Sequence, residues 1–238
     1  MKRNVMAVVV AGGSGRRFGG ELPKQYCLLE GRPVVMHTIE RMHRALLPYG
    51  CADNVVLAIH PDCKELWDDL CREYRFESPR VVFGGETRWH TVSNSLQTVP
   101  DGFDGIVLVH DAARPLVSPE VTGRLVEAVM AGAQGAVPVV AVTDSLRRVA
   151  ENADDAFGSS SVDRSRFRAV QTPQAFDCKL LRIAYSRPYR DVMTDDASVM
   201  ELAGFDRIAT VEGDARTLKI THPADIATAA FYLTSFDN

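Results

Sequence analysis

A chain of 238 residues that is 46% hydrophobic can bury one substantial core, so a single domain is expected over residues 1–238. Its formal net charge of −4 gives no basic field for a nucleic-acid backbone, which excludes nucleic acid as the main partner. No apolar run approaches the roughly 20 residues of a membrane-spanning helix, the apolar stretch before the first glycines is too short for a signal-peptide core, and five cysteines without a C-x-x-C spacing read as reduced thiols of a cytoplasmic protein.

Along the chain, the short Val- and Ile-rich runs VMAVVV, NVVLAI, RVVF, GIVLVH, GAVPVVAV and RIATV read as strands buried on both faces. Between them Val35, Ile39, Met42 and Leu46 fall at helical spacing. So do Val92, Leu96 and Val99, and Leu125 with Val129 after a Ser118-Pro119 start. Strand alternating with helix predicts an α/β fold with a doubly wound, mostly parallel, Rossmann-like sheet. Residues 143–169 break the rhythm. There SLRRV and FRAV flank an acidic, Gly/Ser-rich turn, which predicts a β-hairpin arm projecting from the domain. Helices then resume near Asp177, at Thr194 with a stop before Gly204, and near Pro223.

In such a sheet ligands bind at the carboxyl ends of the strands, so the residues that follow each strand carry the functional expectation. The first such stretch, residues 11–26, reads AGGSGRRFGGELPKQY. Its glycines let backbone N–H groups close on an anion, and Arg16, Arg17 and Lys24 can add charge-assisted hydrogen bonds to phosphate oxygens. A dinucleotide fingerprint beginning at Gly13 needs glycine where Phe18 stands, and a P-loop ending at Gly20 needs lysine where Glu21 stands, so both fail.

The second stretch is HDAARP, where Asp111 directly follows a buried strand and is placed as a hard oxygen ligand for the Mg2+ that accompanies a nucleoside triphosphate. His110 reads as a packed, hydrogen-bonded residue rather than a metal ligand. The third stretch, GGETRWHTVSNS, puts a glycine pair before a helix whose first turn holds Arg88 and Thr91. Further on, Thr194 reads as a helix N-cap with Asp195 and Asp196 as first-turn acids, and Pro173 as a turn residue. Lys219 sits in an apolar, strand-like stretch and needs either an exposed edge or an anionic partner.

Taken together and in order, AGGSGRRF, PKQY, GGETR, HDAARP, DSLRRV, VDR, QTPQAF, TDDAS and LKITHPADIA span essentially the whole chain and resemble the 2-C-methyl-D-erythritol 4-phosphate cytidylyltransferases of the non-mevalonate isoprenoid pathway. The resemblance implies transfer of CMP from CTP to the phosphate of a methyl-branched sugar alcohol, with release of pyrophosphate and Mg2+ as cofactor. It implies that Arg17, Lys24 and Lys219 act on the α-phosphate, and that Asp111 holds the metal. Ala11, Gly12, Gly13, Ser14, Gly15, Gly85, Arg88 and Thr91 then form the CTP pocket, and Asp144, Arg164, Thr172 and Thr194 bind the sugar phosphate. It also implies a homodimer in which the 143–169 arm crosses to the other subunit, so that Arg164 serves the neighbouring site.

Two alternatives stand beside this reading. Ribitol 5-phosphate cytidylyltransferases share the glycine loop and the lysine, but the Ala-Ala of HDAARP, the VDR and the TDDAS point away from them. A non-catalytic CTP-binding module would not require Arg17, Lys24 and Lys219 together. Thr91 stands where the family often has serine, and Cys51, Trp89 and the Gly19-Gly20 pair receive no role.

Overall fold

The computed structural model describes residues 4–12, 22–149 and 158–236. The first strand, β1 (Asn4–Ala11), is buried along nearly its whole length because NVMAVVVA offers apolar side chains to both faces. A 3₁₀ turn (Lys24–Tyr26) leads to a small ribbon, β2 (Leu28–Leu29) and β3 (Arg32–Pro33), and then to α1 (Val34–Leu46). Next come β4 (Val55–Ile59), α2 (Lys64–Glu73), β5 (Arg80–Phe83), α3 (Arg88–Leu96), β6 (Gly105–Asp111), α4 (Pro119–Met130) and β7 (Gly135–Ala141). The later part holds β8 (Arg147–Val149), β9 (Ser159–Ser161), β10 (Arg168–Val170), β11 (Gln174–Asp177), α5 (Cys178–Tyr185), α6 (Asp196–Leu202), β12 (Ile208–Glu212) and α7 (Ala224–Phe236).

The main sheet has eight strands in the order β10-β7-β11-β6-β1-β4-β5, with β12 also on β7. The pairs β1–β4, β1–β6, β4–β5 and β7–β12 are parallel, and β11 enters antiparallel between β6 and β7. Helices cover both faces. Ile39, Met42 and Leu46 of α1 pack with Leu125 and Val129 of α4 on one side. On the other, Val92 and Leu96 of α3 join Leu181 of α5 and Met200 of α6. Each of these fully buried side chains contributes about 1.5–3 kcal/mol relative to exposure, which is what fixes the two helical layers on the sheet. Cys51 belongs to the first core. All five cysteines are free thiols, and among the described residues no helix is long and apolar enough to cross a membrane.

The doubly wound reading is therefore met, with four differences of detail. The arm's return strand is β9, which pairs with β8, whereas FRAV becomes β10 and pairs antiparallel with β7 at the edge of the main sheet. QTPQAF, where Pro173 reads as a turn residue, runs straight into β11, which pairs with β6 along its length and with β7 at Ala175 and Phe176. The N-cap of α6 is Asp195, not Thr194: its carboxylate accepts from Ser198 N–H at 2.9 Å and the Ser198 hydroxyl accepts from Asp195 N–H at 3.1 Å. A carboxylate outcompetes the neutral hydroxyl one residue earlier because charge-assisted bonds at a helix N-terminus are stronger. Finally, Lys219 lies outside any strand, between Thr217, whose hydroxyl donates to Leu116 O at 3.0 Å, and Ile220, whose N–H donates to Ala113 O at 2.8 Å.

Candidate functional site

The ends of β1, β5 and β6 meet on one edge of the sheet, where the chain needs residues without side chains. Thr91, 1% exposed on α3, faces the ends of both β1 and β5. A Cβ on Gly12 or on Gly84 would stand 2.8 Å from its Oγ1, and one on Gly85 would stand 2.4 Å from the Cβ of His90. Glycine is required here by close approach rather than by backbone angle. Gly85 N–H donates to Thr91 Oγ1 at 3.1 Å, and the Thr91 hydroxyl donates to Thr87 O at 3.0 Å, so the hydroxyl ties the glycine loop to the helix. Thr87 caps α3 by accepting from His90 N–H. On the other side of β1, Gln25 donates from Nε2 to Ala11 O at 2.8 Å and anchors the turn that carries Lys24. Lys24 lies near the start of α7, where its charge is among those that lower the pKa of Asp225, against the effect of burial.

Asp111 closes β6 and is the electrostatic centre of the site. Lys219 Nζ lies 2.7 Å from its Oδ2, Arg88 Nε 3.3 Å from its Oδ1, and Arg114 Nε 3.7 Å from its Oδ2. Burial alone would raise the Asp111 pKa, but Arg88, Lys219 and Arg114 outweigh it and hold the carboxyl well below the usual carboxylate range. Arg88 reaches a second carboxylate, Asp196 Oδ2, at 2.7 Å. Burial of the guanidinium opposes its charge, yet Asp196 and Asp111 reverse that and raise its pKa. Three cations around two carboxylates leave the cluster one charge positive. A positive excess at the carboxyl end of parallel strands is the arrangement that attracts an anionic ligand.

Behind Asp111 runs a neutral hydrogen-bond chain. His110 is fully buried; its Nε2 lies 3.0 Å from Arg114 O and its Nδ1 3.1 Å from the Thr172 hydroxyl. A carbonyl can only accept, so the proton is assigned to Nε2, and Nδ1 accepts from Thr172. The Thr172 oxygen in turn accepts from Asp111 N–H at 3.0 Å. Burial pushes the His110 pKa down to about 4, so the imidazole is neutral at pH 7. This is the hydrogen-bonded role expected of His110.

The structure thus brings together Ala11, Gly12, Gly85, Arg88, Thr91, Asp111, Thr172 and Lys219. Lys219 has the anionic partner its setting demanded. Thr172 faces inward to His110 and Asp111 N–H rather than outward. Asp144, Arg164 and Thr194 are exposed, and Arg164 donates to Thr143 O within the arm region. Gly13, Ser14, Gly15 and Arg17 lie outside the described residues, as does the Gly19-Gly20 pair. Sequence reasoning missed Arg114 and Asp196 as parts of the cluster, and Tyr185, whose hydroxyl donates to Asp196 Oδ1 at 2.6 Å. For Asp196 the available signal was a second acid next to the helix cap, but a first-turn acid is so ordinary that it hid the ion pair. Among the described residues no three His, Cys, Asp or Glu side chains group as a metal site. Among the described residues Asp111 offers a divalent cation one carboxylate, so oxygens brought by a ligand would complete its shell, which is how Mg2+ is commonly held beside phosphates.

A family model described as IspD: 2-C-methyl-D-erythritol 4-phosphate cytidylyltransferase matches residues 5–235. The chain is 44% identical over 237 residues to the 2-C-methyl-D-erythritol 4-phosphate cytidylyltransferase of Porphyromonas gingivalis, covering 99% of this chain and 100% of the relative. It is 40% identical over 229 residues to that of Bacteroides fragilis, covering 95% and 98%. Among solved structures, the Thermus thermophilus enzyme of the same name superposes with a TM-score of 0.72 at 29% identity, over 97% of this chain and 99% of that one.

Proposed function

The chain belongs to the 2-C-methyl-D-erythritol 4-phosphate cytidylyltransferase family, and from that premise we propose how its own residues carry out the transfer of CMP from CTP to 2-C-methyl-D-erythritol 4-phosphate. It is a nucleotidyltransferase whose products are 4-diphosphocytidyl-2-C-methyl-D-erythritol and pyrophosphate. A phosphate oxygen of the sugar phosphate attacks the α-phosphorus of CTP in line. The new P–O bond forms as the bond from that phosphorus to the bridging oxygen breaks, and pyrophosphate leaves with the electron pair. No enzyme nucleophile is needed, so the protein supplies position and charge.

The observation that carries this reading is the positive cluster around Asp111, beside glycines that leave room for a ligand. On it, Ala11, Gly12, Gly13, Ser14 and Gly15 cradle the triphosphate, while Gly85, Arg88 and Thr91 line the nucleotide pocket. Arg17, Lys24 and Lys219 stabilise the crowded α-phosphate, and Arg164 and Thr194, with Asp144, hold the sugar phosphate, while Thr172 fixes the end of β6 from within. The donor set fits Mg2+ as a shared site: a hard, ionised oxygen on Asp111 with room for phosphate oxygens to complete the shell. When bound, the ion supplies charge neutralisation on the phosphates. Lys219 then exchanges its pairing with Asp111 for one with phosphate.

The same reading makes the enzyme a cytoplasmic homodimer. Its support is the arm itself, whose β8–β9 pair is exposed along with Val149, while Phe167 and Val170 at the arm's base are also exposed. The test is pyrophosphate release from CTP and Mg2+ with methylerythritol 4-phosphate and ribitol 5-phosphate as parallel acceptors. Release with the former alone is expected. Release with ribitol 5-phosphate alone would keep the chemistry and overturn the substrate, and release with neither would overturn the activity.

A further inference from the structure

Arg88 is held between two carboxylates from different parts of the fold, and the proposed function gives a role to only one of them, Asp111. Its Nε lies 3.3 Å from Asp111 Oδ1, and its terminal NH2 lies 2.7 Å from Asp196 Oδ2. Asp196 is fully buried at the start of α6. Its other oxygen accepts from the Tyr185 hydroxyl at 2.6 Å. Buried carboxylates are costly unless every lone pair is served, and here each oxygen has one short, strong donor. Tyr185 is itself fixed by stacking on Trp89, with ring centroids 5.5 Å apart and planes 23° apart, and Trp89 follows Arg88 on α3. The start of α6 is pinned to the sheet, because Gln174 on β11 donates to Asp195 at 2.8 Å and accepts from Ala197 N–H at 3.1 Å.

From this arrangement we infer that Asp196, anchored by Tyr185, is a positioning residue that limits Arg88 to a single long contact of 3.3 Å on Asp111 Oδ1, one that the metal accompanying the nucleotide can replace. The inference rests on the function proposed above. Its physical basis is competition. A guanidinium shared between two carboxylates commits one N–H to each, here Nε to Asp111 and the terminal NH2 to Asp196. Without charge at position 196, it has a single anionic partner and closes on Asp111 Oδ1 more tightly than the present 3.3 Å. The cluster also becomes more positive, which repels a divalent cation while favouring a metal-free polyanion. Trp89, which sequence reasoning left without a role, serves here as the platform for Tyr185.

The test uses Asp196→Asn and Tyr185→Phe, each close to isosteric, and calorimetric titration of CTP with excess Mg2+ and again with EDTA. The readout is the Mg2+ advantage, the ratio of the two dissociation constants. Asp196→Asn is expected to shrink that advantage about tenfold, the scale seen when a residue supporting a metal ligand is lost. Tyr185→Phe, which loses one hydrogen bond and no charge, is expected to shrink it roughly threefold. Binding in EDTA should not weaken in either. A purely structural role would lower the urea midpoint of unfolding and leave the ratio untouched, and that result in both variants, or in Tyr185→Phe alone if Asp196→Asn does not fold, overturns the inference while the proposed function stands. Failure of the unaltered chain to bind CTP under either condition would overturn the proposed function, and this inference with it.

Discussion

Replacing Thr172 by valine keeps the shape of the side chain and deletes one oxygen, yet that oxygen has two buried partners. It accepts from Asp111 N–H at 3.0 Å and donates to His110 Nδ1 at 3.1 Å, and the residue is 6% exposed, so water does not readily take its place. Each partner left unsatisfied in the interior costs about 1–3 kcal/mol, and the added methyl returns on the order of 0.8 kcal/mol of apolar burial. The net expectation from those two principles is a loss of roughly 3 kcal/mol in unfolding free energy. Urea unfolding at pH 7, followed by circular dichroism, measures it. Thr172→Ser, which keeps the oxygen, should lose no more than about 1 kcal/mol. If valine costs less than serine, the chain from Arg114 O through His110 and Thr172 to the Asp111 backbone does not hold the end of β6 in place, and the reasoning fails.

The same chain gives a pH dependence of fixed sign. His110 titrates near 6.5 when unfolded but only at about 4 when buried, so on acidification the unfolded chain takes up a proton that the native chain refuses. Its contribution is complete above pH 6.5 and lost as pH falls toward 4, by roughly 3 kcal/mol in all. A His110→Gln variant should therefore show a flatter fall in the urea midpoint across that window, and an unchanged slope would refute the assignment. Gly12→Ala sets a Cβ 2.8 Å from Oγ1 of the buried Thr91 side chain, an overpacking expected to cost about 1–3 kcal/mol. Thr91→Ala in the same chain should recover part of that loss in the same urea assay, and strict additivity of the two changes would show that they do not meet. Lys24→Ala should lower kcat far more than it weakens CTP binding, because a charge reserved for the transition state does not contribute equally to the ground state. Equal losses in steady-state kinetics and in CTP titration would reduce the lysine to a binding residue.

Much of this molecule is legible from its letters, and what escapes has a common cause. The buried parallel strands announce themselves as runs of Val and Ile, as in VMAVVV and GIVLVH, because burial on both faces leaves no room for polar letters. The helices on either side show their apolar spacing for the same reason. β11 does not, since four residues, QAFD, are made a strand by their neighbours β6 and β7 rather than by their own propensity. FRAV is visible as a strand but its partner is not, because pairing is decided by the far end of β7. At the site, Asp111 and Lys219 are identifiable one at a time, each odd for its surroundings. Asp196 and Tyr185 are not, because the contact that gives Asp196 its meaning joins residues 108 apart in sequence, and neither looks unusual where it stands.

The transfer itself is tested most directly by following the phosphorus. CTP labelled separately at the α- and γ-positions would be incubated with Mg2+, methylerythritol 4-phosphate and the enzyme, and the products separated. Cytidylyl transfer requires the α-label to appear in the sugar product and the γ-label in pyrophosphate, in equal amounts. A γ-label on the sugar would make the reaction a phosphorylation, and an α-label that never leaves CTP would remove the transfer altogether.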